Sequence, residues 1–342
     1  MTTLVTGASG FLGSAVVERL LARGETGLRC LVRSSSDRSK LLAVQARHPG
    51  ARLELVEADL AGRGDLGPIL RGVTTVYHVA AGMRGSPADL FLNTVVASKN
   101  LLEAAAGAVK RVVLVSSFSV YGAADLPRGT LIDERTPLET RPEKRDAYSH
   151  AKLRQELLVR EYQQRHGFEL VVLRPGVIYG PGGGPFSMRV GLQLPGLFLH
   201  CGRGNPLPLS YVENCAEAIA VAGSAEQPSR DEAYNVLDDG IPTCRAYLRA
   251  YQRQVRRVRS VPVPYFGVMA LSKACQWYHA YSGGQLPAVL TPYKSASAWK
   301  RMRFGNAKLK ALGWRQPVST EEGLNRTFAH FRNTLAAAAG AS

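Results

Sequence analysis

The stretch TLVTGASGFLG at residues 3–13 constrains the fold more than any other feature of the chain. A short β-branched run ends in a turn that places Gly7, Gly10 and Gly13 at three-residue intervals. A helical pattern, FLGSAVVERLLARG, begins at once and stops at a glycine. Small residues let backbone approach closely at such a turn, and the helix N-terminus offers amide donors and a dipole that favours a phosphate group. A glycine pattern alone says little, but this one has the required strand–turn–helix setting.

The rest of the first half repeats that alternation. The runs LRCLVR, RLELVEADL, TTVYHVAA, RVVLVSSFSV and ELVVLRPGVIYG predict strands. LFLNTVVASKNLLEAAAGA predicts one long helix, and a second is expected over residues 148–164. Continuous apolar strands alternating with helices imply an α/β fold, a doubly wound parallel sheet covered on both faces. After Pro181 the pattern becomes irregular: a GPGGGPF loop, a helix at VENCAEAIAVAG and a short strand at EAYNVL. The expected division is a dinucleotide-binding domain over 1–180, a smaller and partly interwoven substrate lobe over 181–332, and a frayed tail over 333–342.

Composition narrows the function classes. The 342 residues carry 45% apolar and 20% charged side chains, an ordinary globular balance. The net charge of +16 admits acidic small molecules, nucleic acid or an anionic membrane. No nucleic-acid motif accompanies it, so no nucleic-acid partner is expected, whereas peripheral membrane contact stays a candidate. Five scattered cysteines lack metal-site spacing and are expected to be buried thiols in a reducing, cytoplasmic setting. No metal is expected, and no apolar run is long enough to span a bilayer.

The end of the second strand selects the dinucleotide. A carboxylate there would take the ribose 2′-hydroxyl, and a cation would take a 2′-phosphate. Arg33 stands twenty residues after Gly13, followed by Ser34 and Ser35, with Arg38 nearby. These suit a phosphomonoester, so NADP(H) is preferred over NAD(H), with Asp37 the rival partner for a ribose hydroxyl. Asp59 after the third strand is expected at the adenine edge, and Ala80, Ala81 and Gly82 leave room for the cofactor after the fourth.

In RDAYSHAK, Tyr148 and Lys152 are four residues apart, one turn of a helix. A free tyrosine has a pKa near ~10, and a neighbouring ammonium favours its phenolate. Read with TGASGFLG, VSSFSVYG, LRPGVIYGPGG, YVENCAEAI, YNVLDDG and KLKALGW, the chain resembles the extended short-chain dehydrogenase/reductase superfamily along nearly its whole length. The resemblance implies a Rossmann fold, a nicotinamide cofactor, a homodimer and a catalytic set of Ser117, Tyr148 and Lys152, with Ser119 the rival serine. It also assigns Ser9, Phe11, Leu12, Leu60, Ser116, Pro175 and Val177 to the cofactor's contacts, together with the three glycines, Tyr148 and Lys152. Where many members carry Asn in NVxGTxNLL, this chain has Thr94, with Asn93 one position earlier and Ala97-Ser98 in place of Gly-Thr.

Two branches are disfavoured. Sugar-nucleotide dehydratases carry Asp-Glu after the active-site hydroxyl, where this chain has Phe118 and Ser119. Many epimerases carry Asn in RxxN, where RPGV has Val177. The LRPGVIYGPG form is more similar to the 3β-hydroxysteroid dehydrogenase and dihydroflavonol reductase branch. That implies oxidoreduction between a secondary alcohol and a ketone on a hydrophobic molecule. Nucleotide-sugar chemistry and a non-catalytic NADP sensor are the alternatives. VGLQLPGLFLHCG and VPYFGVMALSKACQWYHAY are candidate walls of an apolar cavity, and Arg189, Arg203 and Arg301 are candidate partners for a phosphorylated substrate.

Overall fold

The computed structural model describes residues 2–340, except 228, 284 and 286–289. Its centre is a seven-stranded parallel sheet. The strands are β1 (Thr2–Thr6), β2 (Gly27–Val32), β3 (Arg52–Glu57), β4 (Val73–His78), β5 (Arg111–Val115), Glu169–Pro175 and Asp231–Val236. Across the sheet the order runs Asp231–Val236, Glu169–Pro175, β5, β4, β1, β2, β3. The order reverses direction beside β1, and crevices at such switch points bind ligands beyond the strands' carboxyl ends.

Each face carries its own apolar layer. One side packs Val16, Val17 and Leu20 of α1 (Phe11–Ala22) and Ala218, Ile219 and Ala222 of the helix Val212–Ser224. The other packs Leu101 and Leu102 of the helix Ala97–Ala105 and Val159 and Tyr162 of the helix Ala147–His166. Both Val212–Ser224 and Asp231–Val236 lie beyond residue 180, so the chain returns to the main layer after building part of the smaller lobe.

Several elements differ from their sequence expectation. The single helix expected from LFLNTVVASKNLLEAAAGA is three pieces, Pro87–Phe91, a π-helical turn Leu92–Val96, and Ala97–Ala105. A π turn holds one residue more than an α turn, and so re-aims the side chains on either side of it. The run ELVVLRPGVIYG splits at Gly176, because a Cβ there would meet Pro208 O at 2.2 Å. Its second part, Val177–Tyr179, leaves the main sheet and pairs with Leu209–Tyr211. The tail expected to fray is instead largely helical, as Thr320–Gly340 continues through it.

The site helix is better delimited. Asp146 caps its N-terminus by accepting from Ser149 N at 2.9 Å, and Gly167, at φ 72°, ends it in the left-handed region.

Candidate active site

β1 ends at Thr6, and the chain turns through Gly7 into α1. Gly7 has φ +66°, and a Cβ there would lie 2.8 Å from Ala80 N. A Cβ on Gly13 would lie 2.0 Å from Gly7 O. Both glycines are therefore forced by packing of the turn against the β4 end and against the first helical turn. No acidic residue and no capping side chain occupies the start of α1, so its amide donors and positive dipole end are free to meet an anion.

That turn forms one end of a cavity of about 990 Å³. Gly7, Ser9, Gly10, Phe11, Leu12 and Gly13 line it, with Arg33, Asp59, Leu60, Ala80 and Ala81. Ser116, Ser117, Tyr148, Lys152, Pro175 and Val177 continue the same wall. Thus all the sequence-predicted contacts except Ser34, Ser35, Arg38 and Gly82 meet in one cavity. Ser34 is exposed off its wall, and the next-but-one serine, Ser36, lines it instead. Gly82 serves the wall indirectly, donating its N–H to Thr94 Oγ1 at 2.9 Å.

The cation expected to choose the cofactor is on the wall, but not all its helpers are. Arg33 is exposed, with Nη1 3.4 Å from Asn93 Oδ1. Arg38 is taken up by Glu57 at 2.6 Å. Asp37 accepts from Ser39 N at 2.9 Å, and this hydrogen bonding holds its carboxyl below the usual range, so it is engaged in shaping the following helix. The donor set therefore fits a dinucleotide, with glycine backbone for the pyrophosphate and Asp59 and Leu60 beyond β3.

At the other end, Ser117 and Tyr148 line the wall together, with the Ser117 hydroxyl close enough to draw the phenol's pKa down. Burial raises the Tyr148 pKa, and this outweighs the lowering by Ser117. Tyr148 consequently keeps its proton and is set as a donor. Ser117 Oγ also accepts from Ser119 N at 3.1 Å. Ser119, the rival serine, lines the cavity too, and its buried hydroxyl has no hydrogen-bond partner among the described residues.

Lys152 does not bond Tyr148 directly. Its ammonium donates to Val115 O at 2.6 Å and to Gln155 Oε1 at 2.5 Å. Burial brings its pKa down to about 7. Gln155 Nε2 in turn donates to Ser98 Oγ at 2.8 Å, which lies 2.7 Å from His78 Nε2. His78 Nδ1 meets Thr6 Oγ1 at 2.7 Å. Burial, and next the Lys152 charge, lowers the His78 pKa to about 3, so the ring is neutral. Ser98 donates to Thr94 O, which leaves its oxygen to accept from an Nε2–H tautomer of His78. Sequence reasoning missed this chain, although Ser98 stood in a recognised motif. Asn93, one position before Thr94, faces Arg33 rather than Lys152.

A buried ion pair fixes the serine loop. Glu156 binds Arg174 at 2.5 and 3.2 Å and accepts from Ser116 Oγ at 2.6 Å. Arg174 also donates to Tyr121 OH at 2.9 Å, and Tyr121 donates to Asn235 Oδ1 at 2.6 Å. The ends of β5, Glu169–Pro175 and Asp231–Val236 are thereby tied to the helix that carries Tyr148.

The substrate end is walled by residues 182–184 and 186–189 and by Lys294, Ser297 and Ala298. The two stretches expected to wall it do not. VGLQLPGLFLHCG forms the hairpin Leu192–Leu194 and Leu197–His200, and VPYFGVMALSKACQWYHAY forms the helix Tyr265–Tyr281, both off the cavity wall. Of the three candidate arginines only Arg189 lines the cavity. Its guanidinium stacks over Phe304 at 5.5 Å, and no carboxylate pairs with it among the described residues. Asp59 and Asp146 are the acidic residues on the wall among the described residues, and Asp146 is the helix cap. Among the described residues no carboxylate pair stands beside Ser117 to eliminate water.

Residues 3–236 match the sequence pattern of the NAD dependent epimerase/dehydratase family. A sterol-4-alpha-carboxylate 3-dehydrogenase, decarboxylating, from Homo sapiens is 27% identical over 346 residues, covering 96% of this chain and 88% of the relative. A dihydroflavonol 4-reductase from Zea mays is 33% identical over 193 residues, covering 53% of each. Among solved structures, the UDP-glucose 4-epimerase of Thermus thermophilus in complex with NAD aligns with a TM-score of 0.69 at 25% identity, over 97% of this chain and 99% of that one.

Proposed function

Because the chain belongs to the NAD dependent epimerase/dehydratase family, we propose that it is an NADP(H)-dependent oxidoreductase interconverting a secondary alcohol and a ketone on a hydrophobic molecule that carries an acidic group. The observation that carries this reading is the meeting of Ser117, Tyr148 and Lys152 on the wall of the cavity that the Gly7–Gly13 turn closes.

A nicotinamide dinucleotide, when bound, supplies or takes up the hydride. The chain's own residues handle the oxygen and its proton. Ser117 donates a hydrogen bond to the carbonyl oxygen as negative charge develops there. Tyr148 delivers its phenolic proton to that oxygen in reduction and takes it back in oxidation. Lys152, held by Val115 O and Gln155 one helical turn from Tyr148, places a cation beside the phenol in its protonated form. The glycine turn receives the pyrophosphate, and Arg33 with Ser36 receives a 2′-phosphate.

Arg189 supports the acidic group on the substrate. A cation on the cavity wall with no carboxylate in ion-pair contact among the described residues, and with the charge of Arg145 weighing on it more than that of Asp146, favours an anion from the ligand. The name of the human relative, a sterol carboxylate dehydrogenase, supports the same chemistry. Nucleotide-sugar epimerisation is the second reading, supported by the fold similarity to the Thermus epimerase, and Arg189 would then meet a diphosphate.

The test uses purified protein with NADPH or NADH and a panel of ketones: neutral steroids, carboxylated steroids, flavanonols and UDP-sugars. Turnover of an apolar, acid-bearing ketone with NADPH supports the proposal. Interconversion of UDP-sugars without net cofactor turnover supports the second reading.

A further inference from the structure

We propose that the helix Tyr265–Tyr281 is a docking surface for an anionic lipid bilayer. The helix buries little of itself: Val268 and Ser272 are its buried residues. Val268 joins a cluster with Cys201, Leu290 and Trp299, and Ser272 Oγ meets Ser295 Oγ at 2.6 Å. On the opposite face Phe266, Ala270, Lys273, Trp277 and Tyr281 recur at three- and four-residue spacing. Phe266 is 77% exposed, Trp277 67% and Tyr281 76%. Trp277 and Tyr281 stack at 5.5 Å. Three large aromatic rings on one solvent-facing stripe form an apolar patch that a water-soluble surface does not need.

Charge identifies the occupant. Residues 240–320 contain fourteen Lys and Arg and no Asp or Glu, so nearly all of the net +16 arises in this stretch. Arg253, Arg256, Arg257 and Arg259, which lead into the helix, are exposed and form no ion pair among the described residues. Aromatic and basic side chains without acids are the composition of a helix lying in a negatively charged interface. A second copy of the chain fits less well, because a two-fold contact would set this acid-free lobe against itself. Among the described residues no helix is long and apolar enough to cross a membrane, so the helix lies on the bilayer.

The position has a consequence that rests on the proposed redox reading. The helix packs on Pro292–Trp299, whose Lys294, Ser297 and Ala298 line the cavity. A docked bilayer would sit one helix away from the place where an apolar substrate reacts.

The test is sedimentation of the full chain with vesicles of phosphatidylcholine alone and of phosphatidylcholine with a third phosphatidylglycerol, without cofactor or substrate. Trp299 and Trp314 are 2% and 0% exposed, so a blue shift of tryptophan emission reports Trp277. The expected result is binding to the anionic vesicles with that blue shift, weakening as salt rises. Phe266→Ser should bind at least about tenfold more weakly, as loss of one buried aromatic side chain implies. Binding to neither vesicle overturns the proposal. So does concentration-dependent self-association that Trp277→Ala abolishes, which would make the face a contact between copies. Because no turnover is read, failure here leaves the redox reading standing, and failed turnover leaves this surface standing.

Discussion

Lys152 Nζ and Gln155 Oε1 lie 2.5 Å apart, and this contact joins the ammonium to a buried polar chain through Ser98, His78 and Thr6. The chain satisfies these five buried side chains without placing a carboxylate in contact with the lysine. The desolvation of the ammonium is therefore largely unrelieved, and its pKa falls from 10.5 to about 7.

The sign of the resulting pH effect is definite. Between about 7 and 10.5 the unfolded chain holds a proton on Lys152 that the folded protein has released. Raising the pH through that window stabilises the fold. Relative to Lys152→Met, the wild-type melting temperature should climb from pH 7 to pH 9.5. Gln155→Leu removes an acceptor from the charged form, so its climb should begin below pH 7. A wild-type minus Lys152→Met difference that stays flat with pH would show that Lys152 is not depressed.

Arg33 should discriminate between the two dinucleotides. Loss of a charge-assisted hydrogen bond costs about 1.5–3 kcal/mol, or roughly 10- to 100-fold in affinity. Arg33→Ala should weaken NADPH binding by that factor in titration calorimetry and change NADH binding far less. Equal losses for both cofactors would remove Arg33 from the 2′-phosphate.

Gly13→Ala should be severe. The added Cβ would lie 2.0 Å from Gly7 O, a backbone atom within the turn that cannot step aside. Overpacking of this kind costs about 1–3 kcal/mol or more. A lowered thermal midpoint and weakened dinucleotide binding are expected together. An unchanged midpoint would mean the turn is looser than its geometry.

Arg189 should set substrate charge. Arg189→Met should lower kcat/KM for a carboxylated ketone about 10- to 100-fold, the contribution of one charge-assisted contact, and leave a neutral analogue nearly unchanged. Equal losses for both substrates would make Arg189 a packing residue against Phe304.

Much of the site was legible because its signals are local. Tyr148 and Lys152 declare themselves by helical spacing, and Gly7, Gly10 and Gly13 by their place between a strand and a helix. Each of the seven sheet strands overlaps a predicted apolar run and begins within one residue of it, including EAYNVL beyond the irregular middle of the chain. What stayed hidden is relational. Gln155, Ser98, His78 and Thr6 come from four elements, and only the fold brings their polar atoms together. Arg189 differs from Arg203 and Arg301 in lining the cavity, which spacing cannot reveal. The helix Tyr265–Tyr281 suggested a cavity wall because it is apolar, yet Phe266, Trp277, Tyr278 and Tyr281 face outward. The π turn at Leu92–Val96 left no composition signal that separates it from an ordinary helix.

In the proposed function, Tyr148 supplies the proton in an NADPH-linked reduction. The direct measurement is the loss of NADPH absorbance with a carboxylated steroid ketone, in wild type and in Tyr148→Phe, beside NADPH binding by calorimetry. The account predicts that the variant binds NADPH as wild type does while kcat falls by about 10²–10⁴-fold, the contribution of a positioned general acid. A Tyr148→Phe variant that binds NADPH and turns over at the wild-type rate would contradict it.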